Sequence, residues 1–526
     1  MKIKHFLLIA VMLICGLVNA QEHHYQYNGG FEDNLTFWAK VQIDGVEQQS
    51  NDVIEIGAFN GTTVTDSKFV KFYNNRYYLV CLTIGGNNDS PYNITFKLYN
   101  HNNSEEILDY ILTDNTGNPV SVLPWEAGLA YGKPTKPYVL NFRHTFSLPI
   151  SAYTTYGNWY MISSPLATSV DPTAVENMIP ASGGYDLFYF DQTQTNEWVT
   201  YKSSGDIDPG FTHIGGIVPG RGYLYANSAN VELTFVGTAY TGNGQVEITN
   251  AGTNYRSAGW NMIGNPFPTD AEITKSGVNV AYYVMNDAGE DFAPGSGNVG
   301  AMHGIMVYAE NATETVTFTP ANSSKGEDDS QIIALNLSRG NGDIIDRVMV
   351  RMDECSTLPK YVLNPNNAHM SAVVDGEEYA VVNGTNASII PVNFKADMLR
   401  EFTLSVDIQG VEMDYLHLID RLSGEDIDML LENSYTFVGA PDDMTDRFVL
   451  SMRATGFDSV DEVFAYQNGS DIIVNGNGTL EVFDVMGRFI SSHEINGVQN
   501  IQAMPMGVYV FRMVGDNIKT QKIVVR

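Results

Sequence analysis

Length, composition and charge exclude several classes of protein. The 526 residues exceed one ordinary domain, and 44% hydrophobic residues are enough to build folded cores, which excludes extensive disorder. The 61 acidic and 29 basic residues give a net charge of −32, which repels phosphate backbones and argues against nucleic acid as a partner. Abundant Gly, Asn, Thr, Tyr and Val favour strands and turns, so we predict an all-β fold of several β-sandwich-like domains in tandem.

Residues 1–20 have the features of a secretory signal peptide. Lys2 and Lys4 give a positive start, and the apolar run 6–18 that follows is short for a membrane span. We expect export through the Sec translocon, with cleavage by signal peptidase between Ala20 and Gln21. An uncleaved membrane anchor is the alternative.

Residues 21–146 are predicted to form a β-sandwich domain. Short apolar or alternating runs bounded by turn residues are typical of strands, and Pro134 and Pro137 mark the end of the region. The strand candidates are 35–43, 53–59, 77–84 and 94–99.

Two cysteines remain after cleavage, Cys81 and Cys355, and they lie far apart in the sequence. The export route permits disulfides, but two lone cysteines do not make a disulfide framework. Each lies near apolar, strand-like sequence, so we predict two buried free thiols, with a single bridge as the alternative.

Residues 147–325 contain two copies of one β-rich unit, near 157–236 and 259–318. Trp159 and Trp260 lie 101 residues apart, and an isoleucine and a proline recur at the same offset. Each copy continues with an aromatic strand, a glycine-led strand and a closing strand; the second copy is shorter, so the insertions are placed in loops. This Gly-Trp-Asn…Asn-Pro pattern resembles repeats of other secreted Bacteroidetes proteins, which occur beside varied partners, and the resemblance implies no particular activity.

Two local features of the repeat carry structural predictions. Asp171 followed by Pro172 predicts a short helix capped by the aspartate, and 269–272 predicts a second one. Trp159 and Trp260 are predicted to be core residues, because large aromatic side chains in strands are mostly buried. A ligand-stacking role for the two tryptophans is the alternative.

A further β-sandwich domain is predicted for residues 326–457. A linker-like polar run, 323–330, leads into it. Runs with strand character then recur to the end of the region, at 332–337, 347–352, 402–408, 415–419 and 448–452.

Residues 458–526 consist of short alternating runs separated by turn residues. This pattern predicts a small antiparallel, immunoglobulin-like sandwich of about seven strands, with turns at Asn475–Gly478 and Met486–Arg488. The last eight residues carry three basic side chains and no acid, a local reversal of the chain's charge. A positive tail suits an acidic receptor groove; an ordinary final strand is the alternative.

The order of elements in this last region resembles the type A C-terminal sorting domain of the type IX secretion system of Bacteroidetes. The matching segments are 480–488, 505–512 and 519–526. The family often opens with a Pro-Asn-Pro turn, where this chain has Tyr466-Gln467-Asn468. The resemblance implies Sec export, recognition by the type IX translocon at the outer membrane, and removal of the domain by the sorting machinery. The predicted signal residues are Gly487, Arg488, Gly507, Tyr509, Lys519, Lys522 and Arg526.

No motif in the sequence carries a defined chemistry. Residues 295–300 have the spacing of a dinucleotide-binding loop, but a predicted strand, 302–308, follows where that loop needs a helix. A Gly-x-Ser-x-Gly nucleophile elbow does not occur, and His493-Glu494 lacks the second histidine of a zinc helix. We therefore predict no catalytic or cofactor-binding residues.

Two features could bind a metal. Calcium prefers several oxygen ligands, and two acidic loops could supply them, although neither has a complete ligand register. Their residues are Asp206, Asp208, Asp287, Glu290 and Asp291. His23 and His24 lie near the expected new N-terminus; solvated side chains are predicted there, with metal capture as the alternative.

These observations predict an extracellular or outer-membrane surface protein that passes through the periplasm. We expect a non-catalytic binding or adhesin-like role toward an extracellular protein or glycan. The first alternative is a carbohydrate-binding protein that uses exposed Tyr and Trp. The second is a hydrolase with a site assembled from distant loops, since paired carboxylates for glycoside hydrolysis have no local sequence signature.

Overall fold

The structure is a computed structural model and describes most of the chain. The described ranges are 22–27, 29–88, 90–154, 157–201, 216–254, 256–321, 330–340, 342–384, 387–455, 464–468, 471–501, 504–515 and 518–525. Several predicted positions lie outside the described residues, namely the cleavage site at Ala20 and Gln21, the acids Asp206 and Asp208, and the signal residue Arg526.

The all-β fold class is confirmed. Strands make up 56% of the described residues, which contain no α-helix. Most predicted strands of the first 146 residues and of 326–457 coincide with strands of the structure to within a few residues. The hydrophobic pattern was sufficient to locate these strands. An alternating run buries one face of its strand, and a fully apolar run buries both.

Neither predicted short helix forms an α-helix. Asp171 caps the first turn as predicted, but the turn is a 3-10 helix of three residues, Pro172–Ala174, and Val175 returns to an extended backbone that ends it. The second prediction is wrong, because Ala271–Lys275 is a strand whose alternate side chains are buried. Pairing with a neighbouring strand outweighs the weak local helix signal there.

Contacts within the chain define two compact units. Unit 1 comprises Met1–Phe146 and Phe235–Ala239, and unit 2 comprises Ser147–Thr234 and Tyr240–Arg526. The strands of unit 1 that form sheets are β1 (Asp33–Ile43), β2 (Val46–Glu47), β3 (Ile54–Asn60), β4 (Thr63–Phe69), β5 (Lys71–Tyr73), β6 (Tyr77–Gly86), β7 (Thr95–Asn100), β8 (Glu105–Ile107), β9 (Tyr110–Thr113), β10 (Ala130–Tyr131) and β11 (Tyr138–Phe142).

Unit 1 is a sandwich of two sheets. One has the order β5-β6-β1-β11-β9, with β2 and β10 also paired to β1, and the other has the order β4-β3-β7-β8. Burial alternates along β1, so Phe37 faces the second sheet, where its ring centroid lies 4.8 Å from that of Phe96 on β7. The two inner faces share one hydrophobic core.

The predicted repeat extends from β12 to β25. Its strands are β12 (Thr145–Ile150), β13 (Tyr160–Ile162), β14 (Tyr185–Phe190), β15 (Trp198–Thr200), β16 (Tyr223–Asn227), β17 (Val231–Val236), β18 (Gln245–Thr249), β19 (Trp260–Gly264), β20 (Ala271–Lys275), β21 (Val278–Asn279), β22 (Tyr283–Met285), β23 (Phe292–Pro294), β24 (Gly304–Tyr308) and β25 (Thr313–Pro320). The order β13-β16-β14-β15 of the first copy recurs as β19-β24-β22-β23 in the second. Strand β12 pairs with β17, and β18-β25-β20-β21 form a further sheet. The predicted repetition is therefore present in the fold.

The two copies contact each other reciprocally through their backbones. The N–H of Ser163 donates to the carbonyl of Met302 at 2.8 Å, and the N–H of Gly264 donates to the carbonyl of Gly220 at 3.0 Å. These are equivalent bonds, because Ser163 and Gly264 occupy matching positions of the two copies, as do Gly220 and Met302. A Cβ at Gly222 would lie 2.5 Å from a carbonyl oxygen of the second copy, so this close approach requires glycine.

Residues 332–454 form one sheet that closes over a single core. Its strands are β26 (Ile332–Arg339), β27 (Ile344–Arg351), β28 (Leu358–Pro359), β29 (His369–Val374), β30 (Glu377–Asn383), β31 (Ala387–Lys395), β32 (Arg400–Gln409), β33 (Met413–Asp420), β34 (Glu425–Asp428), β35 (Ser434–Gly439) and β36 (Phe448–Ala454). The order is β34-β33-β36-β31-β29-β30-β27-β26-β32-β35, with β28 beside β30. Phe394 on β31 and Phe402 on β32 are distant in that order, yet their ring centroids lie 5.2 Å apart. The sheet therefore curls until its two ends share one core.

The C-terminal sheet has five strands in the part of the chain that the structure describes. They are β37 (Ala465–Asn468), β38 (Asp471–Asp484), β39 (Phe489–Ile501), β40 (Gly507–Val514) and β41 (Ile518–Val525), in the order β37-β38-β40-β41 with β39 paired to β38. The predicted turn at Asn475–Gly478 is wrong, because β38 continues through it and pairs with β39 along its length. The Asn-Gly residues favour a turn, but pairing with β39 keeps this segment of β38 extended.

Candidate functional site

Gly487 and Arg488, two predicted sorting residues, lie in the tight turn between β38 and β39. Asp484 organises this turn: its side chain accepts hydrogen bonds from the N–H groups of Met486 and Arg488, both at 2.9 Å. The carboxylate also pairs with the Arg488 guanidinium at 2.6 Å. The backbone N–H of Arg488 and these further contacts lower the pKa of Asp484. Gly487 has a φ of +77°, which glycine adopts without strain.

Gly507 and Tyr509 lie at the same end of the sheet as this turn, because Asp484 on β38 is paired with Tyr509 on β40. Tyr509 is buried in the core of the sheet, and its hydroxyl donates to the carbonyl of Pro505 at 2.8 Å. Tyr509 therefore supports the fold of this end.

The two described basic residues of the tail are not brought together. Lys522 is exposed and pairs with Val510 in the interior of β41, whereas Lys519 pairs with Met513 near the far end. The two lysines are an odd number of residues apart, so their side chains lie on opposite faces of the sheet. Burial lowers the pKa of Lys519. Lys519 and Lys522 therefore do not share one surface of the sheet.

The sequence analysis missed a group of exposed apolar side chains around the Gly487 turn. We call this group the tip patch; it consists of Val485, Met486, Phe489, Ile490 and Met506. These side chains are between 45% and 82% exposed, and the neighbouring Arg488 side chain is 80% exposed. Single exposed apolar residues are ordinary, but several at one end of a small sheet indicate an interaction surface. Two of them, Met486 and Met506, directly precede Gly487 and Gly507, two of the predicted sorting residues. This position next to a predicted sorting residue is the sequence signal that could have found them.

A cleft of about 370 Å³ lies where the two repeat copies meet. The end of β14 with its following turn, the turn before β16, and strands β18 and β19 form its walls. Trp260 and Met262 also line the cleft, but both side chains are almost fully buried. The polar residues that matter for its chemistry are Asp191, Gln192, Arg221, Glu247, Thr249 and Asn261.

Two side-chain amides hold the walls of this cleft in place. Gln192 accepts hydrogen bonds from the N–H groups of Gly259 at 2.8 Å and Gly252 at 3.1 Å, and it donates to the carbonyl of Thr249 at 2.7 Å. Asn261 donates to the same carbonyl at 2.8 Å and accepts from the N–H of Thr249 at 3.0 Å. The shape of the cleft is therefore set by protein contacts before any ligand arrives.

Three charged side chains line the cleft: Asp191, Arg221 and Glu247. The guanidinium of Arg221 lies 5.2 Å from the ring centroid of Tyr189, and none of the described carboxylates forms an ion pair with it. Burial opposes ionisation of Asp191, but hydrogen bonds from Thr193 and the attraction of Arg221 lower its pKa overall. Arg221 thus acts on its acidic neighbour Asp191 at longer range.

The described acids of the calcium hypothesis are engaged by protein groups. Glu290 pairs with Arg339 at 2.7 Å, and Asp287 accepts a long hydrogen bond of 3.4 Å from the N–H of Ile344. Asp291 is only 6% exposed, and it accepts hydrogen bonds from several groups, including the N–H of Leu363 at 3.1 Å. Burial is the main reason that the pKa of Asp291 rises to about 6. Through these contacts the turn that carries Asp287, Glu290 and Asp291 attaches the second copy to the region between β26 and β29.

His23 and His24 are exposed, as predicted, but each is held by unit 1. Nδ1 of His23 lies 3.0 Å from one oxygen of Glu55, a fully buried carboxylate whose other oxygen lies 2.8 Å from Nε2 of His101. The ring of His24 stacks on Tyr99 with centroids 3.6 Å apart. These contacts attach the start of the described chain to the sandwich.

The two repeat tryptophans pack in a hydrophobic core, and the glycine-rich loop leads into a strand. Trp260 is 4% exposed, which confirms its prediction as a core residue, and Trp159 is partly buried against the same core. Loop 295–300 is followed by strand β24, as predicted, and so lacks the helix of a dinucleotide site. The hydroxyl of Tyr282 lies 3.1 and 3.0 Å from the carbonyl oxygens of Ser296 and Gly297.

Cys81 and Cys355 are both free thiols, as predicted. Cys355 is buried, whereas Cys81 is half-buried. Among the described residues, no three His, Cys, Asp or Glu side chains are grouped so as to hold a metal ion. The same part of the chain contains no helix long and apolar enough to cross a membrane.

No protein-family model and no curated protein matches the chain. Among solved structures, the chain has a weak similarity to a chain described as "Biofilm associated protein - BSP domain". The identity is 9%, the match covers 96% of this chain and 98% of the other, and the TM-score is 0.12. A TM-score this low supports no conclusion about the fold or function of this chain.

Proposed function

We propose that the chain is an exported, non-catalytic binding protein whose C-terminal sheet is an export handle. In this proposal residues 21–457 are the cargo, which binds an extracellular protein or glycan, and 458–526 address it to the type IX translocon. The observation that carries the proposal is the tip patch. It exposes five apolar side chains next to Arg488, on a small sheet that has a hydrophobic core of its own.

An apolar end surface suits a receptor better than the basic tail does. Burying apolar area contributes about 25 cal/mol per Å², so a few large side chains can supply much of a docking energy. A neighbouring cation adds orientation and specificity. Because Lys519 and Lys522 lie on opposite faces, the basic tail supplies a weaker common surface than the tip patch.

The first test is transfer of the address. Residues 458–526, fused to a reporter with its own signal peptide, should bring the reporter to the surface of a host with the type IX system. The full chain without 458–526 should stay folded and accumulate in the periplasm, because a separate sheet with its own core can be removed. The exported protein should begin at Gln21 by mass spectrometry. Normal surface delivery of the truncated chain would refute the proposal that residues 458–526 are an export signal.

The second test separates the tip patch from the fold of the sheet. Replacing Met486 and Met506 with aspartate should strongly reduce surface delivery and leave the melting temperature nearly unchanged, since both side chains are solvent-exposed. Met398→Asp is the matched control, because Met398 is 54% exposed and lies in the turn between β31 and β32, away from the C-terminal sheet. Equal delivery of the double variant and the control would remove the tip patch from the proposal.

A further inference from the structure

We infer that the cleft between the two repeat copies binds a neutral saccharide of one or two sugar units. This inference specifies a ligand for the proposed binding role and is independent of the export route. The cleft has a volume of about 370 Å³ and lies inside the range of small-molecule sites. Its lining combines fixed polar groups with the small accessible parts of Trp260 and Met262, which are 4% and 5% exposed.

The two copies hold the equivalent turns by different contacts, and the cleft lies beside the turn of the first copy. In the second copy the turn after β22 is held directly by backbone: the N–H groups of Asn158 and Trp159 donate to the carbonyls of Ala288 and Gly289, both at 3.0 Å. In the first copy the equivalent N–H, that of Gly259, donates instead to the side chain of Gln192 at 2.8 Å. In the first copy the Gln192 side chain therefore makes the contact that the backbone of Ala288 and Gly289 makes in the second copy.

The charges in the cleft favour a neutral ligand over an anion. Asp191 and Glu247 outnumber Arg221, and the whole chain has a net charge of −32. An anionic ligand would therefore meet a repulsive field, whereas sugar hydroxyls both donate and accept hydrogen bonds. Arg221 offers donors, and the exposed Glu247 carboxylate offers acceptors.

The polarity of the cleft disfavours a lipid and suits a sugar. The amides of Gln192 and Asn261 are held by backbone groups and keep the walls rigid, which lowers the ordering cost of binding. Arg221 lies over the face of Tyr189 and Trp260 is almost fully buried, so binding in this cleft would depend on hydrogen bonds and not on aromatic stacking. Unit 1 offers an aromatic surface, where Trp38 lies 4.8 Å from Tyr73, which is 36% exposed.

The experiment applies the purified full-length mature chain to an array of neutral and acidic glycans and a set of short peptides. The strongest neutral oligosaccharide is then titrated by calorimetry. Arg221→Ala should weaken its binding at least tenfold, and Glu247→Gln, an exposed conservative change, should weaken it severalfold without altering the melting temperature. The matched control is Arg76→Ala, since Arg76 also lies over a tyrosine ring, at 5.1 Å from the Tyr77 centroid in unit 1; it should bind as wild type.

Three results would overturn the inference: no neutral glycan bound, binding of acidic glycans or peptides alone, or neutral-glycan binding lost in Trp38→Ala but kept in Arg221→Ala. The last result would place the site in unit 1. If Arg221→Ala fails to fold, Glu247→Gln decides, because its loss of affinity would support the cleft and unchanged affinity would overturn it. Export and binding are measured separately, so a failure of the export handle leaves this result intact.

Discussion

Replacing Asp291 with asparagine should change how the stability of the second repeat copy depends on pH. Asp291 is 6% exposed, and burial raises its pKa to about 6 from an ordinary value of 3.8. The carboxyl accepts hydrogen bonds from the N–H groups of Phe292 and Leu363. Of the charged groups that face it, Asp346 raises the pKa further and Lys360 lowers it.

A raised pKa means that the folded state binds the proton more tightly than the unfolded state does. The stabilisation by this proton is fully present below pH 3.8 and is lost as the pH rises through 6. A shift of about two units corresponds to roughly 3 kcal/mol. The free energy of unfolding of wild type relative to Asp291→Asn should therefore fall by up to about 3 kcal/mol between pH 4 and pH 7, because asparagine does not titrate.

Hydrogen exchange measured by mass spectrometry provides the assay. Peptides from 283–294 and 358–370 report opening of this contact directly, after correction for the intrinsic pH dependence of exchange. Asp287→Asn is the matched control, because it removes an exposed carboxyl group from the same turn. A difference between wild type and Asp291→Asn that stays constant, or that grows toward pH 7, would refute the dominance of burial at this carboxyl.

Two further predictions concern the core and the thiols. Trp260→Ala should destabilise its copy by about 3–5 kcal/mol in thermal or denaturant unfolding, because Trp260 is almost fully buried, and Trp159→Ala should cost less because Trp159 is partly exposed; equal costs would contradict the burial difference. In a Cys81→Ser background, maleimide should label Cys355 only after unfolding, since burial raises the pKa of its thiol to about 11; rapid labelling of the folded protein would show that this core opens.

Local pattern was enough for the features that depend on neighbours in the chain. The alternating run of β1 places Phe37 inside because a strand turns every second side chain to one face. The spacing of Trp159 and Trp260 identified the repeat, since equivalent sequence builds equivalent sheets. The turn at Gly487 was also predictable, because its positive φ favours glycine.

Pairing between strands distant in the sequence decided the conformation of two segments for which the local residue pattern predicted a turn or a helix. Asn475–Gly478 has the residues of a turn, but β39 supplies a partner along the whole of β38 and keeps the segment extended. Residues 269–272 carried a weak helix signal, and Ala271–Lys275 pairs with β25 instead. In both places many inter-strand hydrogen bonds outweigh local propensities of a fraction of a kcal/mol per residue.

The sequence by itself determined the all-β class, the repeat and the turn at Gly487, because each follows from residue types that are adjacent or regularly spaced in the chain. Only the tertiary structure decided the candidate sites. The cleft brings Asp191, Arg221 and Glu247 together from separate strands and turns of two copies. The pairing of β38 with β40 likewise places Met486 and Met506 of the tip patch at the same end of the sheet. No local pattern encodes such proximity, because it arises from which strands pair and in which register.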